Sequence, residues 1–225
     1  MKYDEILKKF KSLSNPKNVE EMKRFGIRGK VIYGVSIPNL RNMAKELGKD
    51  HELALKLWKS EIHEARLLAG FIDDLKKVSE EQMEEWVKDF DSWDICDQVC
   101  SNLFDKTEFA WKKAFEWSKR KEEFVKRAGF VLMAALSVHD KKTPDKDFER
   151  FFPIIIRESN DERNFVRKAV NWALRQIGKR NKRLNKKAID VAKKIYRMDS
   201  KTAKWIASDA LRELTSKSTQ KRLKK

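Results

Sequence analysis

Apolar positions recur at three- and four-residue spacing along nearly the whole chain, which is the mark of helices that bury one face. The pattern predicts helices over 4–13, 19–25, 38–47, 51–58, 61–75, 80–90, 93–104, 108–120, 122–138, 148–157, 162–179, 186–196 and 202–214, separated by short polar turns and with no strand among them. Ser14-Asn15-Pro16 reads as a turn, and Ser36 with Pro38 reads as a helix start, the hydroxyl capping and the proline in the first turn. Gly48 reads as a stop, and the stretch 26–36 is the least regular part of the chain.

Three of these helices share a local pattern: Ile62-His63-Glu64-Ala65, Val125-Lys126-Arg127-Ala128 and Val166-Arg167-Lys168-Ala169, each followed by an apolar stripe. The alanines lie 63 and 41 residues apart, and Asp97 as an intervening equivalent splits the longer interval into 32 and 31. Such spacings, with two helices per unit, indicate an all-α, HEAT-like helical-repeat solenoid. The expected organisation is one repeat domain over 1–216 followed by a basic, flexible tail over 217–225. In a solenoid one helix of each repeat lines the concave wall, which would gather 93–97, Arg127 and 168–175 along one groove.

Composition supports helices, because 7 Gly and 4 Pro leave little material for turns. Charge adds a partner. The formal net is +17, and residues 161–225 hold 21 Lys and Arg against 6 Asp and Glu, a net of +15. A basic surface concentrated in one part of a chain is the footprint of a polyanion binder, since each neutralised phosphate releases condensed counterions. The concave groove is therefore expected to be basic and nucleic acid to be the partner. A solvated basic face is the other reading of such a run, and it does not account for 163–183, where charge interleaves with an apolar stripe.

Cys96 and Cys100 lie four apart with no second pair, so no disulfide framework is expected and a reducing, cytoplasmic compartment fits. Residues 1–11 alternate charged and apolar positions, unlike a signal peptide, and no apolar run is long enough to span a bilayer. His51, His63 and His139 lack ligand spacing, and no Gly-rich phosphate loop is present, so neither a metal nor a cofactor is expected.

Candidate chemistry centres on Asp91-Ser92-Trp93-Asp94-Ile95-Cys96-Asp97. Helical spacing puts Trp93 and Asp97 on one face and turns Asp94 elsewhere. An indole face beside a carboxylate suits a cation. Asp91 or Ser92 as a helix cap, and Asp94 as a first-turn acid, is the purely structural alternative, and it explains Asp97 less well.

The chain resembles the AlkD-type DNA alkylation repair glycosylases, which are built from HEAT-like repeats. The residues that carry the resemblance are Tyr33-Gly34-Val35-Ser36-Ile37-Pro38-Asn39-Leu40-Arg41, Trp93-Asp94-Ile95-Cys96-Asp97, Lys126-Arg127-Ala128 and Arg167-Lys168-Ala169-Val170-Asn171-Trp172-Ala173-Leu174-Arg175, in that order. The resemblance implies excision of N3- or N7-alkylated purines from duplex DNA by a monomer, without flipping the nucleotide into a pocket. By motif, Trp93, Trp172 and Asp97 surround the lesion, Arg127 lies nearby, and Lys168, Arg175 and Lys179 contact the DNA. Trp58, Trp86, Trp111, Trp117 and Trp205 are assigned to packing.

The chemistry agrees with that implication. An N3- or N7-alkylated purine is already cationic and leaves as a neutral base, so no general acid is required. Positive charge then grows on the deoxyribose, where a fixed carboxylate stabilises it. Two other readings stay open, a non-catalytic nucleic-acid-binding solenoid and a protein-binding scaffold. The scaffold sits poorly with the basic C-terminal third.

Overall fold

The computed structural model describes residues 1–223, and among them it is all helical apart from one parallel bridge between Val31 and Ile62. The chain divides into two compact units, Met1–Glu108 and Phe109–Lys225, where the sequence reading had a single repeat domain.

The first unit contains α1 (Tyr3–Ser12), α2 (Pro16–Arg24), α3 (Ile37–Leu47), α4 (His51–Lys59), α5 (His63–Ile72), α6 (Glu80–Lys88) and α7 (Trp93–Asn102), with short 3-10 turns at Leu75–Lys77 and Phe104–Lys106. Side-chain caps set most of the starts. Asn15 accepts from the Asn18 amide at 3.2 Å, Asp50 from Leu53 at 3.0 Å and Ser79 from Gln82 at 3.2 Å. Ser36 caps α3 as its sequence implies, with Pro38 in the first turn.

α5 is the hub of this unit. Every residue from His63 to Gly70 is buried, and α3, α4 and α7 all pack against it. A helix without a polar face is a core helix. Below it Trp58 and Trp86 stack with ring centroids 4.0 Å apart, with Phe90 at their edge. The repeat shows in the hydrogen bonds: the Trp58 indole donates to Asp89 at 2.9 Å and His63 pairs with Asp94 at 2.8 Å, both across 31 residues.

The second unit contains α8 (Ala110–Trp117), α9 (Glu123–His139), α10 (Asp145–Glu149), α11 (Phe152–Glu158), α12 (Asn164–Gly178), α13 (Lys182–Tyr196), α14 (Lys201–Leu214) and α15 (Lys217–Leu223). Its hub is α9, buried from Arg127 to Ser137 and packed between α8 and α12. α8 crosses so close that a Cβ at Gly129 would meet the Ser118 amide nitrogen at 2.4 Å, so only glycine fits there. In this unit several cross-helix bonds span 38 residues, as between Arg127 and Phe165 and between Asn171 and Asp209. The longer repeat parallels the wider spacing of the sequence pattern. Ala65, Ala128 and Ala169 are all fully buried.

Three expectations are corrected here. The helix read over 148–157 is broken into α10 and α11, because Pro153 has no amide to donate and sits in the first turn of the second piece. α13 starts at Lys182 rather than at 186, since the Asn181 side chain accepts from the Leu184 amide at 2.9 Å and caps it there. The tail read as flexible from 217 is helical through Leu223: Thr219 is buried, and Gln220 donates to the Asn185 side chain at 3.0 Å and to the Leu214 carbonyl at 2.6 Å. Lys224 and Lys225 lie outside the described residues.

Candidate functional site

The Asp91-to-Asp97 segment is held from below by α5. Ser92 occupies the N-cap position of α7 without capping it; its hydroxyl donates instead to Asp94 Oδ1 at 2.7 Å. The other carboxylate oxygen of Asp94 meets His63 Nε2 at 2.8 Å, with the imidazole fully buried. Asp91 does not act as a cap either. It faces the Arg66 guanidinium at 3.5 Å, and Arg66 also donates to the Asp89 carbonyl at 3.0 Å. The capping alternative thus fails for Asp91 and Ser92, and the first turn of α7 is tied to α5 by a buried charge network.

That network shifts its members in opposite directions. Burial works to lower the His63 pKa, but the hydrogen bond to Asp94 and the charges of Asp94, Glu64 and Asp91 outweigh it and raise it. Burial likewise works to raise Asp94, and the His63 and Ser92 hydrogen bonds reverse it, leaving the carboxyl below its usual range. Asp91 is raised, burial there exceeding the pull of Arg66 and His63. At Cys100 burial comes first, then Cys96 and the carboxylates of Asp97 and Asp105, and the thiol is pushed well above its usual value. Neither cysteine is in a disulfide and both are buried, away from the exposure that a reactive thiol needs.

Glu64, a residue that sequence reasoning did not single out, organises the irregular stretch. Its buried carboxylate accepts from the amides of Tyr33 at 3.0 Å, Gly34 at 2.7 Å and Val35 at 3.3 Å. Gly34 has a φ of +77°, and a Cβ there would lie 2.3 Å from the Asn15 carbonyl oxygen. The only sequence signal was the recurrence of Ile62-His63-Glu64-Ala65 in the repeat pattern. Arg41, from the same motif, donates to Gln98 at 3.2 Å and Asn102 at 3.4 Å on α7.

Trp93 and Asp97 are both half-buried, one turn apart on α7. The Trp93 indole donates to the Phe25 carbonyl at 3.0 Å, and its ring walls a mostly apolar cleft. The carboxylates that line this cleft are Glu21 and Asp94, the latter the one the helical spacing turned away; Asp97 does not line it.

The other expected residues belong to the second unit. Trp172 is half-buried on α12, and Lys168 is exposed with no ion-pair partner among the described residues. Arg127 is 5% exposed and donates to the Phe165 carbonyl at 2.6 Å, which makes it a strut between α9 and the start of α12. Arg175 and Lys179 both pair with Glu213 on α14, and Arg175 has Asp209 at 3.6 Å as well. The same stripe carries Asn171, which donates to Asp209 at 2.7 Å, and Arg167, whose guanidinium lies 5.1 Å from the Trp205 ring centroid. Trp205, assigned to packing, is instead 40% exposed on α14, with the Arg167 guanidinium over its ring.

Charge separates between the units. Residues 109–225 carry 33 Lys and Arg against 14 Asp and Glu, a net of +19, whereas residues 1–108 carry a net of −2. Among the described residues no group of His, Cys, Asp and Glu is placed to hold a metal ion, and no helix is long and apolar enough to cross a membrane.

Compared with known proteins, residues 6–214 match the family model described as "DNA alkylation repair enzyme". The chain belongs to that family. The chain is similar to the uncharacterized protein Lin0241 of Listeria innocua, 24% identical over 197 residues and covering 86% of each chain. The uncharacterized protein Lmo0209 of Listeria monocytogenes is 23% identical over the same length and coverage. A solved structure described as "a new family of proteins related to the HEAT-like repeat DNA glycosylases with affinity for branched DNA structures" superposes with a TM-score of 0.81 at 18% identity, covering 99% of this chain and 96% of that one. This alkylation-repair family member therefore has the HEAT-like helical-repeat fold expected from its spacing.

Proposed function

We propose that the protein is a DNA glycosylase that binds duplex DNA and hydrolyses the N-glycosidic bond of cationic N3- and N7-alkylated purines. In this reading Trp93 in the first unit and Trp172 in the second each offer an indole face, which favours a cationic base by about 0.5 to 2 kcal/mol while adding little grip on an undamaged one. As the bond breaks, the electron pair leaves with the base, which departs neutral, and the deoxyribose becomes oxocarbenium-like. Asp97 stabilises that charge and orients the attacking water, whose oxygen bonds to C1′ and whose proton is lost to solvent or to the carboxylate. The +19 of the second unit supplies the phosphate attraction. Lys168, Arg175 and Lys179 contact the backbone, and Arg127 acts by fixing the start of α12 rather than by touching DNA.

The observation that carries the reading is selective exposure. Trp93, Asp97 and Trp172 keep solvent-accessible surface, as do Trp111 and Trp205, whereas Trp58, Trp86 and Trp117 are 3% exposed or less. Trp111 stacks on Phe151 and Trp205 faces the Arg167 guanidinium, whereas the Trp93 and Trp172 rings have no aromatic or cation–π partner among the described residues. A second reading, DNA binding without excision, is favoured by the affinity for branched DNA of the family to which the fold neighbour belongs and by the pairing of Arg175 and Lys179 with Glu213. Incubation with methylated duplex DNA separates the two. Release of free 7-methylguanine or 3-methyladenine with matching abasic sites supports excision, and salt-sensitive binding without release supports the second reading.

A further inference from the structure

α14 carries an outer face that packing does not account for. Its inner side is closed by Ile206, Ala210 and Leu214, all fully buried. On the other side Lys201, Trp205, Ser208 and Arg212 follow one another at intervals of four, three and four residues, a single stripe along the helix, and all four are exposed. Trp205 is the most exposed of the seven tryptophans. Arg167 reaches across from α12 to lay its guanidinium over the indole, and the ring keeps its 40% exposure beside that contact.

The cations around this ring lack counter-charges. Lys201 and Lys204 are exposed and have no ion-pair partner among the described residues. Arg167 donates to the neutral Asn164 side chain at 3.3 Å, and its Nε is buried without a partner. Arg212 is paired with Asp209 but remains 80% exposed. Neither α12 nor α14 has an acidic residue in its first turn, where the helix dipole favours an anion and disfavours a cation. Ser200 already caps α14, accepting from the Ala203 amide at 3.2 Å. Arg167, Lys201 and Lys204 therefore oppose the fold rather than support it, and an anion from outside would compensate them.

The indole narrows the class of that anion. Within a duplex each base is covered on both sides by its neighbours, so the outside meets phosphates, sugars and base edges. A base with an open face is found where a nucleotide is unpaired. Exposed cations beside an exposed aromatic ring are the combination that holds single strands, the cations tracking the backbone and the ring stacking on a base of any identity.

We propose that the outer face of α14, together with Arg167, is a binding surface for single-stranded DNA, with Trp205 stacking on an unpaired base and Lys201, Lys204 and Arg212 following the backbone. The surface uses none of the residues assigned to excision. It stands whether or not the protein releases a base.

Fluorescence anisotropy of the full chain at low salt, with a labelled oligothymidylate, a duplex carrying a single-stranded overhang and the same duplex blunt-ended, tests it. Trp205→Ala is expected to weaken binding of the oligothymidylate and of the overhang about tenfold, the scale of one lost base–aromatic stack, and of the blunt duplex by less than about twofold. Trp205→Tyr is expected to recover most of the loss, since a smaller ring still stacks. Replacing both Lys201 and Lys204 by Gln is expected to flatten the slope of log K against log salt for the single strand by about 1 to 1.5, at roughly 0.7 for each phosphate. All three side chains are exposed, and unchanged melting temperatures verify that the variants remain folded. Failure of the wild type to bind the oligothymidylate, an equal loss for overhang and blunt duplex in Trp205→Ala, or an unaltered salt slope in the lysine variant would each overturn the proposal. Tighter binding of an oligouridylate than of the oligothymidylate would overturn it too, by moving the surface to RNA.

Discussion

Glu213 sits between two cations that the DNA-binding reading needs, and Glu213→Gln measures what that arrangement costs. The carboxylate pairs with both Arg175 and Lys179, and all three side chains are partly buried, at 29%, 27% and 15% exposure. Burial works to raise the Glu213 pKa, but the Lys179 hydrogen bond and the charges of Arg175 and Lys179 hold it below the usual carboxylate range, so it stays ionised at neutral pH. Any phosphate approaching α12 must therefore compete with an internal anion.

Each partly exposed pair is worth up to about 1 kcal/mol. Arg175 keeps Asp209 at 3.6 Å in the variant, so its release is incomplete. The expected gain in affinity for a plain duplex is about 1 to 1.4 kcal/mol, or roughly five- to tenfold at low salt. Between one and two further phosphates are neutralised, which steepens the slope of log K against log salt by about 1 to 2. The same substitution should cost about 1 kcal/mol of fold stability and about 2 to 4 °C in melting temperature. Fluorescence anisotropy of a labelled duplex over a potassium chloride series reads both the affinity and the slope. Unchanged or weaker binding with an unaltered slope would refute the idea that Arg175 and Lys179 face DNA. Loss of the gain on adding Lys179→Gln would locate it.

The buried pair of His63 and Asp94 carries a pH signature. His63 is raised above 6.5 and Asp94 lowered below 3.8 on folding, so their joint contribution is complete between those values. It declines as pH rises through the raised His63 pKa and as pH falls through the lowered Asp94 pKa. Asp94→Asn is expected to cost about 2 to 4 kcal/mol near pH 5.5 and less near pH 8.5, by urea denaturation; a cost that does not change with pH would contradict the pairing. Gly34→Ala, with its positive φ and a carbonyl oxygen 2.3 Å from the new Cβ, is expected to lose on the order of 2 to 3 kcal/mol, and wild-type stability in urea would rule out the strain.

Much of the architecture was legible because helix starts carry local chemistry. Ser36 with Pro38 and the stop at Gly48 are read from adjacent residues and the structure realises both, whereas Ser14-Asn15-Pro16, read as a turn before a helix from 19, instead starts α2, with Asn15 as its cap and Pro16 in its first turn. Asn181 caps α13 just as locally, but its signal was hidden in a run of cations with no apolar spacing before Leu184. The tail helix is anchored by Thr219 and Gln220 against partners distant in the chain, which periodicity does not register.

The site was legible in part for a similar reason. Trp93, Asp97 and Trp172 stand out by residue type, and their partial exposure is compatible with the role proposed for them. Arg127 stands out by charge, yet its burial against the Phe165 carbonyl depends on a contact 38 residues away. The roles of Glu64, the His63 to Asp94 bond and the Glu213 pairs are likewise tertiary. Each joins residues about 30 or 38 apart, a separation set by the repeat rather than by any local motif.

The central claim is that Asp97 stabilises the sugar cation during excision. Release of 7-methylguanine from methylated duplex DNA under single-turnover conditions, wild type against Asp97→Asn with both proteins saturating the DNA, tests it most directly. Binding is expected to persist while release falls by about a hundredfold or more, the scale on which removal of one electrostatic stabiliser of a transition state acts. Equal release by both proteins would contradict it.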